Sequence, residues 1–240
     1  MSIPNQSADS LKAEPSTRNP STPSGARKIL RKLSSPPVFR LAVLSGVAIA
    51  LAATAAVMWH KVVREQYFPK NFAPVVPGEI YRSAYLVPNA MKIVQRDYGI
   101  KTIVDLGGSE PGTPAYADEV ETARRLGIQR HEFNFPGDGK GDPVAYARVL
   151  ELIADESTHP VLVHCAAGAY RTTTVAMLYR HLFLREPLWE AAQASILRGY
   201  DPYEHPDHLA YLAENLAAVR QALGMSERSD EGLESPQKRN

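Results

Sequence analysis

The stretch that most constrains the fold of this chain is residues 161–172, with the sequence VLVHCAAGAYRT. It begins with a short apolar, β-branched run, continues through small residues and one glycine, and then opens a pattern of helical period. This order predicts a buried strand, a tight loop and a helix. A strand that leads directly into a helix is the repeating unit of a mostly parallel sheet covered by helices.

The loop of this unit carries residues suited to binding an anion. Five residues separate Cys165 from Arg171, which lets the backbone curl so that its N–H groups point inward beside the positive end of the following helix. Gly168 suits a position of positive φ in such a loop. A phosphate group would fit the ring, and Arg171 could hold two of its oxygens bidentately.

Cys165 is the predicted nucleophile at this ring. Helix N-termini and nearby cations lower the pKa of a cysteine thiol well below about 8.5, which favours the reactive thiolate. Thr172 could donate its hydroxyl to the sulfur, and His164 could orient the loop by hydrogen bonding. The plainer alternative is a lone buried cysteine at the end of a strand, which is common for this residue type. The combined spacing of the cysteine, glycine, arginine and threonine favours catalysis.

The segment from His164 to Thr172 resembles the His-Cys-x-x-Gly-x-x-Arg-Ser/Thr signature of the cysteine-dependent protein-tyrosine and dual-specificity phosphatase superfamily. Residues 78–84 and 99–106 look like the opening strands of its compact bacterial and fungal-type members, so the resemblance covers about residues 72–222. It implies hydrolysis of phosphate monoesters through a phosphocysteine intermediate, without metal or cofactor. Thr173 departs from the family pattern, because many relatives have a glycine there.

The expected phosphate-binding set follows the same signature. It comprises His164, Ala166, Ala167, Gly168, Ala169, Tyr170 and Arg171. The alanines stand where relatives often have charged residues, and lipid or inositol-polyphosphate phosphatases of the superfamily often place lysines there. The uncharged loop therefore favours phosphotyrosine-like or other monophosphate esters as substrates.

A second catalytic group is expected, since the leaving alcohol must be protonated, a contribution of typically about 10²–10⁴-fold. Superfamily members supply an aspartate from a loop upstream of the phosphate loop. We predict that Asp138, between Gly137 and Gly139, is this acid on a mobile loop, although a simple turn aspartate is the plainer interpretation. Asp142 precedes Pro143 and is expected to cap a helix.

Three further charged residues have open roles in the sequence. Arg82 and Asp105 could support the site from neighbouring loops, but purely structural pairing fits them equally well. Lys140 is most simply a solvated loop charge.

Alternating periodicities predict an α/β fold: a mostly parallel central sheet flanked by helices, similar to the dual-specificity phosphatases and preceded by one transmembrane helix. The predicted strands are residues 80–84, 101–106, 128–135 and 161–163. The predicted helices are residues 89–98 capped by Asn89, 116–126, 143–154, 171–184, 188–198 and 207–223. The carboxyl ends of parallel strands meet at one edge, where the loops 107–114, 136–142 and 166–171 should form the site.

Residues 41–59 contain no charged side chain, and as a helix they would extend roughly 28 Å, close to the hydrocarbon thickness of about 30 Å. We predict a single membrane-spanning helix, with a cleaved signal peptide as the alternative. Five basic residues lie close before the span, namely Arg27, Lys28, Arg31, Lys32 and Arg40, against three after it, namely Lys61, Arg64 and Lys70. This asymmetry favours a cytoplasmic N-terminus and a catalytic domain on the non-cytoplasmic side.

The expected organisation is a disordered basic tail (1–40), a transmembrane helix (41–59), a juxtamembrane linker (60–77), a phosphatase domain (78–223) and a disordered tail (224–240). The net charge of +1 gives no argument for a nucleic-acid partner. One cysteine excludes an intramolecular disulfide, and the seven histidines show no metal-binding spacing.

The sequence thus favours a membrane-anchored phosphatase that acts on phosphorylated proteins or small phosphoesters, of the tyrosine or dual-specificity type. An inositol-polyphosphate or lipid phosphatase is the alternative within enzymes. A catalytically silent phospho-binding module is the alternative outside them.

Overall fold

A computed structural model of the chain describes residues 37–59, 63–203 and 205–225. The chain divides into two compact units, Met1–Ala50 and Leu51–Asn240. Most of the predicted N-terminal tail, its residues 1–36, and most of the predicted C-terminal tail, its residues 226–240, lie outside the described residues. The same holds for residues 60–62 of the predicted linker.

The first described element is helix α1, Pro37–Met58. Its segment Phe39–Met58 is long and apolar enough to cross a membrane, judged by length and composition. The helix begins four residues before the predicted span, so residues 37–40 are helical and not part of the tail. Proline suits this start because its fixed φ is already helical and its missing N–H would have no partner there.

The folded unit contains a five-stranded sheet. Its strands are β1 (Ala73–Val76), β2 (Ile80–Ala84), β3 (Thr102–Asp105), β4 (Gln129–Glu132) and β5 (Val161–Cys165). Their spatial order is β1-β2-β5-β3-β4. Only β1 and β2 pair antiparallel, whereas the pairs β2–β5, β5–β3 and β3–β4 are parallel. The predicted α/β architecture with a mostly parallel sheet is therefore confirmed.

Helices cover both faces of the sheet. They are α2 (Arg64–Tyr67), α3 (Pro88–Tyr98), α4 (Pro114–Arg125), α5 (Pro143–Ala154), α6 (Tyr170–Leu182), α7 (Leu188–Gln193) and α8 (Pro206–Ala222). The predicted bounds of α5 are exact, and those of α4, α6 and α8 differ by a few residues. Proline occupies the first turn of α3, α4, α5 and α8, where its fixed φ favours initiation.

Strand β1 lies inside residues 60–77, which we expected to be a linker. Its pairing with β2 extends the sheet by one antiparallel edge strand, so the folded domain begins before residue 78. The strand escaped prediction because it is only four residues long and contains Pro74, a residue that is tolerated in sheets mainly at edges.

Two helix predictions are corrected. Asn89 does not cap α3: the helix begins at Pro88 after Val87, and the Asn89 amide donates to the carbonyl of Gln66 (2.8 Å). The predicted helix 188–198 is two pieces, because α7 ends at Gln193 and a separate 3₁₀ turn spans Ile196–Arg198. The Ser195 hydroxyl at this break donates to the carbonyl of Ala191 (3.3 Å), a local bond of the kind that competes with helix continuation.

Two apolar clusters fill the core, one on each face of the sheet. The larger packs alternate residues of the central strands, including Val104, Val163 and Cys165, against α5, α6 and α8. The smaller packs the intervening residues Ile103 and Leu162 against α3 and α4. Because successive strand residues point to opposite faces, neighbouring residues of β5 belong to different clusters. This alternation places Cys165 and His164 in different surroundings.

Candidate active site

Cys165 is the last residue of β5, the central strand, and is followed by a loop that leads into α6. The parallel neighbours of β5 end beside it: Ala84 of β2 is in register with Cys165, and Asp105 of β3 is in register with His164. The carboxyl ends of three strands therefore meet at the N-terminus of a helix, which is the expected position for a ligand site in a parallel sheet.

The predicted phosphate loop is held by contacts from β2 and from the segment before β1. The Arg82 guanidinium donates through Nη2 to the carbonyl of Gly168 (2.7 Å), and the Asn71 amide donates to the carbonyl of Ala167 (2.8 Å). Gly168 has φ +63°, and a Cβ there would lie 2.5 Å from the backbone nitrogen of Ala84. Only glycine fits this position, as the sequence predicted, and the close approach to β2 is a further reason.

The thiol of Cys165 is buried, with 2% of the residue exposed. Burial on its own would raise the pKa of the thiol, but the hydroxyl and backbone N–H of Thr172, the charge of Arg171 and the N–H of Gly168 together lower it. The surroundings therefore favour the thiolate, which is the nucleophilic form of cysteine.

Three consecutive threonines at the start of α6 have different partners. The Thr172 hydroxyl oxygen is buried and has no hydrogen-bond partner among the described residues, so its proton is available to the sulfur, whose pKa it lowers. The Thr173 hydroxyl accepts from Nη2 of Arg82 (2.8 Å). The Thr174 hydroxyl donates to the carbonyl of Gly139 (3.1 Å). Three successive positions of one helical turn therefore interact with three different groups: the thiol of Cys165, the guanidinium of Arg82 that supports the phosphate loop, and the loop that carries the predicted acid.

Arg171 is oriented by the loop that follows β3. Its Nη1 donates to the carbonyls of Leu106 (3.2 Å) and Gly107. A Cβ at Gly107, where φ is +92°, would lie 2.6 Å from that Nη1, so glycine is required for the arginine to take this position. The Nε of Arg171 is buried without a partner among the described residues. A guanidinium held on one side and unsatisfied at Nε is suited to a bidentate contact with an oxyanion.

His164 points to the opposite face of the sheet, where it meets Glu119 of α4. Its Nε2 lies 3.0 Å from the Glu119 carboxylate. Burial would lower the pKa of His164, but the charge and hydrogen bond of Glu119 and the charges of Asp105 and Cys165 raise it. Burial raises the pKa of Asp105, whereas His164 and Arg130 lower the pKa of Glu119 against the opposing effect of burial.

Arg130 of β4 closes this network. Its guanidinium contacts the carboxylates of Asp105, Glu119 (3.0 Å) and Glu132 (2.8 Å). Asp105 in turn accepts from the N–H groups of Gly107 and Gly108, at the turn that holds Arg171. Asp105 therefore links the histidine before the thiol to the loop that orients the arginine. Asp105 and Arg82 lie on β3 and β2, within the predicted strands 101–106 and 80–84, and both support the site from there.

The ligand atoms of Asp105, Glu119 and His164 lie within 4.8 Å of one another, a geometry that could hold a metal ion. Arg130, however, already provides a positive charge to both carboxylates. A cation at this position would compete with the guanidinium, so the cluster is better described as a buried ion network than as a metal centre.

Asp138 lies on an exposed turn, with 56% of its side chain accessible, and its carboxylate accepts from the N–H of Lys140 (3.0 Å). The loop itself is anchored, which differs from the mobile loop we expected. Its Gly139 carbonyl accepts from Tyr146 (2.8 Å) and Thr174, and its Gly141 carbonyl accepts from Tyr211.

The loop that carries Asp138 adjoins the end of the phosphate loop. A Cβ at Gly139 would lie 3.1 Å from the carbonyl carbon of Tyr170. Lys140, expected to be simply solvated, joins this loop to α8 through an ion pair with Asp207 (2.6 Å). Asp142 has the predicted capping geometry, since its carboxylate accepts from the N–H of Val144 (3.1 Å).

Sequence reasoning missed Glu119, Arg130 and Asn71 as parts of this site. Glu119 and Arg130 lie on an ordinary amphipathic helix and a short edge strand, so nothing local distinguishes them from surface charges. Strand alternation could have indicated that His164 faces away from the thiol, and hence that an acidic partner was needed on the other face of the sheet.

Comparisons with known proteins agree with this geometry. The family model described as the tyrosine phosphatase family matches residues 67–221. The tyrosine-protein phosphatase-like protein OCA2 of Saccharomyces cerevisiae (strain ATCC 204508 / S288c) is 28% identical over 116 residues, which is 48% of this chain and 58% of the relative. The inositol diphosphatase SIW14 of the same yeast is 27% identical over 120 residues, 47% of this chain and 40% of the relative. The chain thus spans about half the length of the curated relatives it matches.

Among solved structures, TpbA of P. aeruginosa superposes with a TM-score of 0.53 at 22% identity, over 65% of this chain and 91% of that one. A second structure of TpbA contains pTyr. This likeness shows the shared fold. Because the family model covers well over half of the sequence, and the strand, loop and helix around Cys165 lie inside the match, the chain belongs to the tyrosine phosphatase family.

Proposed function

We propose that the chain hydrolyses phosphate monoesters through a phosphocysteine intermediate on Cys165. The observation that carries this proposal is the combination around the buried thiol: Thr172, Arg171 and the Gly168 N–H lower its pKa against burial, and Arg171 keeps an unsatisfied Nε for an oxyanion. A cysteine with only a structural role would need neither feature.

In the proposed first step, the Cys165 thiolate attacks phosphorus, an S–P bond forms and the P–O bond to the leaving alcohol breaks. Asp138 in its acid form gives its proton to the leaving oxygen. In the second step, Asp138 as carboxylate takes a proton from water, which attacks phosphorus and breaks the S–P bond. The hydroxyl of Thr172 stabilises the departing thiolate, and Arg171 holds the equatorial oxygens throughout.

Asp138 is favoured over Asp142 as the acid. Asp142 is engaged in capping α5, with its carboxylate 3.1 Å from the N–H of Val144. Asp138 is on an exposed turn whose neighbour Gly139 adjoins Tyr170 of the phosphate loop. A rotation about the side-chain bonds of Asp138, without movement of the anchored loop, is the motion that the proposal requires.

The central experiment is the Cys165→Ser variant. We expect turnover to be abolished while inorganic phosphate still binds, because the ring of N–H groups and Arg171 remain. Wild-type activity should survive chelators and be blocked by vanadate. Appreciable turnover by Cys165→Ser would refute the mechanism. Phosphate binding by a wild-type chain that hydrolyses no ester would instead support a silent phospho-binding module.

We further propose that the preferred substrates are phosphotyrosine-like or other monophosphate esters. The loop side chains Ala166, Ala167 and Ala169 carry no charge to meet additional phosphates. The competing candidate is an inositol-polyphosphate or lipid phosphatase, favoured by the similarity to the inositol diphosphatase SIW14. A higher catalytic efficiency on a highly phosphorylated inositol than on any phosphopeptide would overturn the substrate proposal.

Finally, we propose that α1 anchors the protein in a membrane with the catalytic unit on the non-cytoplasmic side. Support comes from the apolar segment Phe39–Met58 and from the excess of basic residues before it. A reporter enzyme that is active only outside the cytoplasm, fused after Asn240, should be active. Activity of a cytoplasm-only reporter at the same position would reverse the orientation.

A further inference from the structure

A cavity of about 170 Å³ lies between β1, β2, α6 and the 3₁₀ turn after α7. It is lined by Ala73, Pro74, Val75, Arg82, Ala176, Arg180, Ala194, Ser195 and Arg198. None of these residues belongs to the phosphate-binding set of the proposed active site. Since a single water needs only about 10–15 Å³ of such space, the cavity has room for a tetrahedral oxyanion.

The charges that line this cavity are unbalanced. Three of the lining residues are arginines and none is acidic. Arg180 is paired with Glu186 (2.8 Å), but Arg82 and Arg198 form no ion pair with a carboxylate among the described residues. The thiolate of Cys165 provides partial compensation for Arg82 alone. The three arginines carry three positive charges, and Glu186 and the Cys165 thiolate carry two negative charges. One positive charge is therefore in excess around the cavity.

Arg82 shows the consequence of this imbalance. Its residue is only 4% exposed, and its pKa is lowered to about 10, first by burial and then also by repulsion from Arg198 and Arg180. Its Nη1 donates to the hydroxyl of Ser195 (3.2 Å), another lining residue. Its Nε has no hydrogen-bond partner among the described residues. Clustered guanidinium groups are the usual protein device for binding phosphate-type oxyanions.

We propose that this cavity is a second anion-binding site, which takes a tetrahedral oxyanion of the phosphate class between Arg82, Arg180 and Arg198. The ligand is either free inorganic phosphate or the phosphate end of a small monoester. Because Arg82 also donates to the Gly168 carbonyl and to Thr173, an anion bound here contacts the same side chain that supports the phosphate loop.

The test is calorimetric titration of the full chain with inorganic phosphate. The Arg171→Ala variant weakens the proposed active site, and the response of the remaining binding to Arg198→Glu shows whether that binding is in the cavity. We expect this variant to bind one phosphate, and Arg198→Glu added to it to weaken that binding at least tenfold. Arg148→Glu is the matched control, because it makes the same change of charge at an exposed arginine that does not line the cavity.

If Arg171→Ala does not fold, the stoichiometry of the chain without that substitution provides the same test. We then expect two phosphates per chain, one with Arg198→Glu and two with Arg148→Glu.

Glycerol phosphate, titrated in parallel into Arg171→Ala, distinguishes the two possible ligands. Equal binding of glycerol phosphate and inorganic phosphate indicates the phosphate end of a monoester, and binding of inorganic phosphate alone indicates the free ion.

Two results would overturn the inference. The first is an Arg171→Ala chain that folds but binds no phosphate, and the second is residual binding that Arg198→Glu leaves unchanged. Neither result touches the phosphocysteine proposal, which depends on turnover by Cys165. Conversely, an inactive wild-type chain that still binds two phosphates would refute the proposed function and retain the second site.

Discussion

Replacing Thr172 by valine isolates one contribution to the reactivity of the thiol. Valine has nearly the shape of threonine, and the Thr172 hydroxyl has no hydrogen-bond partner among the described residues. The substitution therefore removes mainly the interaction with Cys165, one of the causes of its lowered pKa. The backbone N–H groups of Thr172 and Gly168 and the charge of Arg171 remain.

The size of the effect follows from the kind of interaction lost. A hydrogen bond to a charged group contributes about 1.5–3 kcal/mol, and one pKa unit corresponds to about 1.36 kcal/mol. The pKa of Cys165 should therefore rise by roughly one to two units in Thr172→Val. If the same interaction stabilises the departing thiolate, breakdown of the phosphocysteine should slow roughly 10- to 150-fold. At a pH where Cys165 is ionised, the free energy of unfolding should fall by the same order, about 1.5–3 kcal/mol, because the native thiolate loses this contact.

The assay is the rate of alkylation by iodoacetamide as a function of pH, which reports this thiol alone because Cys165 is the only cysteine. Rapid-quench measurement of the phosphocysteine gives the rate of the second step. Thr173→Val is the matched control: it removes an acceptor of the buried Arg82, so it should cost about 1.5–3 kcal/mol of stability with little change in the thiol pKa. An unchanged pKa in Thr172→Val, or an equal shift in both variants, would refute the assigned role.

Three further predictions test other parts of the structure. Asp138→Asn should lower turnover strongly on esters with poor leaving groups and much less on activated aryl phosphates, whereas Asp142→Asn should leave both rates nearly intact; steady-state kinetics with the opposite pattern would exchange their roles. Burial lowers the pKa of His208 from 6.5 to about 4. As the pH falls, this imidazole therefore takes up a proton in the unfolded chain before it does so in the folded chain, and on the order of 3 kcal/mol of stability is lost between pH 6.5 and pH 4. Urea unfolding across that range should show the loss, and His208→Gln should reduce it; equal acid sensitivity of the two chains would contradict the assignment. Gly168→Ala should destabilise the chain by more than Gly99→Ala, since both glycines have positive φ but only a Cβ at residue 168 meets backbone within 4 Å; thermal unfolding of the two variants decides this.

Much of the fold could be predicted because its signals are local. The strands β3 and β5 contain apolar runs in the sequence, and α5 begins at an Asp-Pro pair whose capping geometry depends on adjacent residues. The elements that escaped prediction are those whose stability depends on neighbours. Strand β1 exists through its pairing with β2, and α7 ends where Ser195 meets both its own helix and Arg82.

The proposed site divides in the same way. Cys165, Gly168, Arg171 and Thr172 lie within eight consecutive positions, so a strand-loop-helix unit brings them together whatever surrounds it. The predicted acid, Asp138, needed a resemblance to be singled out, because an aspartate between glycines is also an ordinary turn residue. Its tethering by Tyr146 and Thr174 is visible only once α5 and α6 are packed.

By itself, the sequence determined the class of fold and the strand-loop-helix segment on which the proposed anion binding and thiol chemistry depend, because periodicity and short-range spacing specify backbone geometry over a few residues. Only the tertiary structure decided what supports that segment. The contacts of His164 with Glu119 and of Arg82 with Gly168 join residues 45 and 86 positions apart, and they depend on strand order and on which face each side chain occupies. The cluster of Arg82, Arg180 and Arg198 has the same origin, since strand, helix and turn converge on one cavity only after folding.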